Sequence, residues 1–268
     1  MPGGDDPLLR EGELAVLGRI STASNLTLVC DIATADPETP LRVVYKPVRG
    51  EQPLWDFPDG TLAGREVATY RIAEVLGWHT VPETILRDGP FGPGMVQRWI
   101  DTVDHADTLD LVDLTPAGVV PDGFREVLRA VDPTGTEVSL VHSADPRLRR
   151  LAVLDVIVNN ADRKGGHALH GTVGGVHSVY GVDHGICLHA ENKLRTVLWG
   201  WAGEPIPEEL LPDITGLLKE LSGDLADELA AHLTDTEITA LADRARRLLD
   251  DPAMPLPDTA RPIPWPAF

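Results

Sequence analysis

The stretch Asp155–Leu169, DVIVNNADRKGGHAL, decides how the chain is read. It starts as an apolar run interrupted by one acid and continues as Asn159-Asn160-Ala161-Asp162-Arg163-Lys164-Gly165-Gly166-His167. The residues before it carry a helix start, with Asp145 as N-cap and Pro146 in the first turn. Leu148, Leu151, Ala152, Val156 and Ile157 are spaced to bury one face of that helix. A dense polar and glycine stretch directly after a buried helix is costly unless it lines a site. Asp155, at helical spacing within the apolar face, reads as a structural acid that pins the loop by accepting N–H bonds.

Working outward toward the N-terminus, ELAVLGRI, LTLVCDIA and LRVVYKPV within residues 13–48 alternate as strands separated by polar or Pro-containing turns. TLAGREVATYRIAEVL, residues 61–76, predicts a helix burying Val67, Tyr70, Ile72, Val75 and Leu76 and stopping at Gly77. PGMVQRWI predicts one more strand. Residues 101–113 carry five aspartates, at Asp101, Asp104, Asp107, Asp110 and Asp113, and read as a solvated acidic linker. A hairpin is expected around Asp132-Pro133-Thr134-Gly135. HALHGTVGGVHSVYGVDHG predicts two short strands about a Gly-rich turn. Residues 207–251 are helical, with a capping box at Thr234 and Glu237. The tail, residues 252–268, holds six prolines and must be extended, docking through Trp265 and Phe268 or remaining loose.

The expected architecture is therefore α+β and two-lobed: a β-rich N-lobe over 1–98 with one helix, a mainly helical C-lobe over 99–251, and the Pro-rich tail over 252–268. Composition narrows the function. The formal net charge of −19 opposes nucleic-acid binding and stable association with an anionic membrane, yet leaves room for a few local cations and N–H groups to hold one phosphate. Cys30 and Cys187 form no metal-type pair. Without a basic and apolar leader, the expected location is the cytoplasm.

Phosphoryl transfer from ATP needs a Lys on the phosphates, an acid to hold it, an acid to orient the nucleophile, and oxygen ligands for a divalent metal. Lys46 at a strand end, Glu66 on the next helix, Asp162 after the buried helix and Asp183 in YGVDHG supply these types in workable order. Gly185 is expected to allow a sharp turn after Asp183. Each signal alone is weak, since an Asp before Gly is ordinarily turn chemistry and a helix Glu is ordinarily solvated.

GREVATYRIAEVLGWHTVPETILRDG, GMVQRWID, DVIVNNADRKGG and VYGVDHGICLH, in this order, resemble the type II phosphatidylinositol 4-kinase branch of the protein-kinase-like fold and, more distantly, HipA-type kinases. The LRTVLWGWAGEPIP segment fits the same branch. The whole chain is similar to an actinobacterial group of phosphatidylinositol-kinase-related proteins. The resemblance, over about residues 10–215, implies an ATP-dependent phosphotransferase using magnesium or manganese. Lys46 would contact the nucleotide phosphates and pair with Glu66. Asp162, with Arg163 and Lys164, would be catalytic, and Asp183 would hold the metal. Gln97, Arg98, Trp99 and Ile100 would face adenine. The turn Ile20–Asn25 would cover the phosphates with Ser21, Ser24 and Asn25, although it lacks glycine. Where the family carries an Asn five residues after the catalytic Asp, this chain has His167. Either Asn160 takes part in the metal shell instead, or the metal differs, or transfer is impaired; His167 itself reads either as a metal ligand or as a histidine satisfied by a backbone carbonyl. Alternatives are a nucleotide-binding pseudokinase, nucleotidyl transfer on the same fold, and a metal phosphohydrolase built on Asp162, His167, Asp183, His184 and His189. The acceptor is expected to be a soluble small molecule or a protein hydroxyl.

Overall fold

A computed structural model describes residues 6–21, 23–102, 109–132 and 134–268. Asp104, Asp107, Thr22 and Pro133 lie outside the described residues.

The chain opens with a short helix α1 (Pro7–Glu11), capped by the Asp6 side chain. Strands β1 (Ala15–Arg19), β2 (Leu28–Ile32) and β3 (Leu41–Pro47) follow, then helix α2 (Leu62–Val75), β4 (Thr84–Gly89) and β5 (Gly92–Arg98). The five strands form one antiparallel sheet in the order β1-β2-β3-β5-β4. The period-two rule sorts β3: Val43 and Tyr45 enter a small core with Leu9, Cys30, Ile32 and Val96, while Val44 and Lys46 face the opposite side. β4 has no counterpart in the sequence reading, because TILRDG alternates weakly and runs into a Gly-Pro turn.

Helix α2 differs from the expected one-sided helix. Beyond Val67, Tyr70 and Ile72, it buries Ala63, Gly64, Arg65, Glu66, Ala68, Thr69 and Ala73, whereas Val75 is only half-buried. The reason is its position between lobes: Ala68, Tyr70, Ile72 and Ala73 belong to the large core of the second lobe, while Ala63 and Val67 pack on Met95. A buried ion pair, Arg65 Nη2 to Glu237 Oε1 at 2.6 Å, fastens α2 to the far end of the chain.

The second lobe begins with β6 (Asp101–Thr102), β7 (Val112–Pro116), β8 (Phe124–Val131) and β9 (Glu137–Ser143). The acidic stretch is thus strand at both ends of its described part and not simply a linker. β7, β9 and β8 form one sheet; β6 joins another with β10 (Ala168–Val173) and β11 (Val176–Gly181). Helix α3 (Pro146–Ile157) starts at Asp145, whose side chain accepts from the Arg147 N–H, and buries Leu148, Leu151, Val153, Leu154 and Ile157. Helices α4 (Leu211–Glu220), α5 (Asp224–Leu229) and α6 (Asp235–Asp250) close the core, with the Thr234–Glu237 capping box present at α6. No helix among the described residues is long and apolar enough to cross a membrane.

The tail is docked, but not through Trp265, which is 89% exposed. Met254 and Pro264 are buried, and the Pro262 carbonyl accepts from the Thr196 N–H and the Trp199 indole.

Candidate functional site

Between the lobes lies a cleft of about 490 Å³. Its apolar walls include Ile20, Leu26, Val44, Leu169 and Val182, and its polar walls include Lys46, Glu66, Asp162, Lys164, His167 and Asp183. Gln97, Arg98, Trp99 and Ile100 line it where β5 leaves the sheet, and Ser24 and Asn25 line it at the β1–β2 turn. Ser21 is exposed and does not reach the cleft wall, which corrects its assignment. The Arg98 guanidinium is held by Glu83 and Asp6, so only its backbone and stem remain for the cleft.

Lys46 Nζ lies 2.6 Å from Glu66 Oε1 and 2.7 Å from Asp183 Oδ1. Burial works against the Lys46 ammonium, but Asp183 and Glu66 overcome it and hold its pKa above the usual lysine value. Lys46 holds the Asp183 carboxyl well below the usual carboxylate range. Burial pushes Glu66 up, against the pull of Lys46. The lysine thus bridges one buried acid and one acid whose side chain is half-exposed to the cleft. The sharp turn at Asp183 is made by its own backbone, at φ +60°. Gly185, expected to make that turn, instead passes close to α2, where a Cβ would lie 3.1 Å from Leu62 Cβ.

The two amides of the deciding stretch have structural work. Asn159 donates to the carbonyls of His189 and Glu191 and accepts from the Lys193 N–H. Asn160 donates to Asp155 Oδ1 at 2.9 Å and accepts from the Asp162 N–H at 2.9 Å. Asn160 is buried and absent from the cleft wall, so its assignment as a metal ligand is corrected: it aims the backbone of Asp162. Arg163 is corrected likewise. It is wholly buried, pairs with Asp155 through Nε and Nη2 at 2.9 Å each, and donates to the carbonyls of His167 and Val182. Arg163 also meets His184 Nε2 at 2.6 Å. Asp155 therefore anchors, through Arg163, both the Asp162 loop and the Asp183 loop, accepting N–H bonds as expected, here from the side chains of Asn160 and Arg163.

Asp162 is the acid left facing the cleft. Burial raises its pKa, opposed by Lys164, whose Nζ is 3.4 Å from Oδ2. His167 Nδ1 lies 3.2 Å from the Asp162 carbonyl, which can only accept, so Nδ1 carries the proton. Burial lowers the His167 pKa to about 4, although Asp183 opposes it. The ring is then neutral near pH 7, and Nε2 turns a lone pair toward Asp183 Oδ2 at 3.3 Å. Two acceptors converging without a proton between them fit a divalent cation. Among the described residues no group of three or more His, Cys, Asp or Glu is assembled to hold a metal, so an ion at Asp183 and His167 needs further ligands, as phosphate oxygens would supply. The histidines of a phosphohydrolase centre are not gathered: His184 is sealed against Arg163, and His189 packs on Phe57 and accepts from the Glu191 N–H.

Sequence reasoning missed Glu51. Its carboxylate accepts from the Leu62 and Ala63 N–H groups at 2.9 and 2.8 Å and lines the cleft at the start of α2. No periodicity marks an acid inside a Pro-containing loop eleven residues before the helix it caps.

The strand order, the lysine of β3 paired to the acid of α2, and the two acid-bearing loops facing them define a two-lobed α+β protein with a charged interlobe cleft. The chain belongs to the family of Protein Rv2133c of Mycobacterium tuberculosis (strain ATCC 25618 / H37Rv), to which it is 57% identical over 268 residues, covering 97% of this chain and 94% of that protein. No protein-family model matches. Two solved structures share low similarity with it. One is the Helicobacter pylori proinflammatory kinase CtkA, with TM-score 0.49 and 10% identity over 91% of this chain and 94% of that one. The other is the Shewanella oneidensis MR-1 HipA, HipB and operator DNA complex, with TM-score 0.40 and 11% identity over 87% of this chain and 64% of that one. At such scores neither adds to the geometry above.

Proposed function

We propose that the protein is an ATP-dependent phosphotransferase acting on a hydroxyl acceptor. One observation carries this reading: Lys46 bridges Glu66 and Asp183 inside an interlobe cleft that also presents Asp162. In that reading adenine lies against Gln97–Ile100 and the apolar walls, and Lys46 meets the phosphates once nucleotide draws it from Asp183. Asp183 and His167 would hold magnesium or manganese together with phosphate oxygens, and the ion would supply charge neutralisation on the transferred group. Asp162 accepts the hydroxyl proton, its raised pKa suiting a group that takes and returns one. Lys164 beside it screens the charge.

The acceptor is read as soluble, a small molecule or a protein hydroxyl. A formal net charge of −19 repels anionic lipid and nucleic acid alike, so the phosphatidylinositol 4-kinase resemblance supports the reaction class and not a lipid acceptor. His167 in the position of an amide favours a second reading, a pseudokinase that binds nucleotide without transfer. Incubation with γ-labelled and α-labelled ATP separates the cases. Transfer of γ label supports the phosphotransferase. Transfer of α label means nucleotidyl transfer, free phosphate alone means hydrolysis, and nucleotide binding without any turnover means a pseudokinase.

A further inference from the structure

The tail ends on the loop that carries Asp162. The Gly165 N–H donates to the Ala267 carbonyl at 2.8 Å. The Phe268 ring lies over Gly165 so closely that a Cβ there would sit 2.5 Å from Phe268 Cε1, and Val112 Cβ bounds the other side at 3.3 Å. A second clamp lies a few residues upstream. The Arg163 N–H donates to the Arg195 carbonyl and the Val197 N–H to the Arg163 carbonyl, and the intervening Thr196 N–H donates to the Pro262 carbonyl. Backbone from the tail thus reaches the loop twice, directly at Gly165 and through Thr196 behind Arg163. Six prolines between residues 252 and 268 limit how far such a strap flexes. This explains why the first glycine of the pair is a glycine: its φ is not in the left-handed region, and what excludes a side chain is the ring of Phe268.

We propose that Ala267 and Phe268 are positioning residues for the Asp162 loop: the docked tail fixes Gly165, and through it the placement of Asp162 and Lys164 in the cleft. The proposal rests on the reading of Asp162 as the catalytic acid, but its first readout does not. Loss of the strap frees the loop end without removing any group that touches nucleotide. A displacement of about 1 Å at a reacting group lowers turnover by up to about a hundredfold while leaving binding of the remainder intact.

The test uses the full chain, Phe268→Ala, Gly165→Ala, the double variant, and a chain lacking residues 264–268. Amide exchange at Gly165 and His167 is followed by NMR, ATP affinity by calorimetry, and γ-phosphate turnover where wild type shows it. The expected result is at least about tenfold faster exchange at Gly165 in Phe268→Ala and in the shortened chain, with ATP affinity within about twofold of wild type and kcat about tenfold or more lower. Gly165→Ala, which collides with the ring, should lose kcat, and Phe268→Ala added to it should restore part of that loss. Unchanged Gly165 exchange in both Phe268→Ala and the shortened chain overturns the proposal, as does faster exchange with unchanged kcat in an active protein. If wild type turns over no ATP, the phosphotransferase reading fails separately, and the exchange result alone decides whether the tail holds the loop.

Discussion

Lys46 Nζ sits between two carboxylates of opposite standing, 2.6 Å from Glu66, which is buried, and 2.7 Å from Asp183, which faces the cleft. Glu66 is held in place by a helix locked to both lobes, so it fixes the lysine; under the proposed function, Asp183 is the partner an incoming nucleotide would replace. Lys46→Ala should therefore weaken ATP binding by about tenfold or more while the fold persists, because Glu66, its pKa already pushed up by burial, can take a proton in the variant. Calorimetric ATP titration alongside circular dichroism checks this. Unchanged affinity in Lys46→Ala would remove the lysine from the phosphate site.

The buried pair Asp155–Arg163 should behave as structure and Asp162 as chemistry. Asp155→Ala leaves a fully buried guanidinium without its carboxylate and should cost about 3–5 kcal/mol in urea unfolding. Asp162→Asn removes only a partly exposed contact at 3.4 Å and should change stability by less than about 1 kcal/mol while lowering kcat about a hundredfold or more. A stable Asp155→Ala variant would contradict the anchoring role.

Lys46, Glu66, Asp162 and Asp183 were legible in the sequence because strand, helix and loop order is local information, and the fold needs only that order to bring them together. Arg163 and Asn160 were assigned to chemistry and metal because polarity in a loop gives no sign of burial. What places them inward is the pairing with Asp155, five and eight residues away across a helix end. Glu51 and β4 depend on long-range partners that no short pattern carries; Phe268 was legible as a tail anchor, but the Gly165 loop it meets was not.

His142 provides a pH test of the core. Its Nδ1 donates to the Ser143 carbonyl and its Nε2 accepts from the Gly200 N–H, so the neutral ring is the one that fits. Burial lowers its pKa to about 4. Because the folded value lies below the unfolded value of about 6.5, its contribution is complete above that pH and is lost as pH falls toward 4. The full shift corresponds to about 3 kcal/mol. Urea midpoints from pH 7 to 4 should fall, and less steeply in His142→Gln. Identical slopes would place the acid sensitivity elsewhere.

In the proposed cation site, His167 would be a softer ligand than a second oxygen. Magnesium demands near-octahedral oxygen coordination, whereas manganese tolerates imidazole nitrogen. ATP should bind more tightly with manganese than with magnesium, and His167→Asn should narrow or reverse the difference. Asn160→Ala should leave the preference alone and instead destabilise the fold by about 1–3 kcal/mol, since both of its side-chain atoms are committed. Equal preference in wild type and His167→Asn would take the imidazole out of the metal shell.

The most direct measurement is calorimetric titration of ATP into wild type and Asp183→Asn, each with and without manganese or magnesium. Metal-dependent binding is expected in wild type and its loss in Asp183→Asn, the variant remaining folded by circular dichroism. Absence of ATP binding to wild type, or the same metal-dependent affinity in Asp183→Asn, would contradict it.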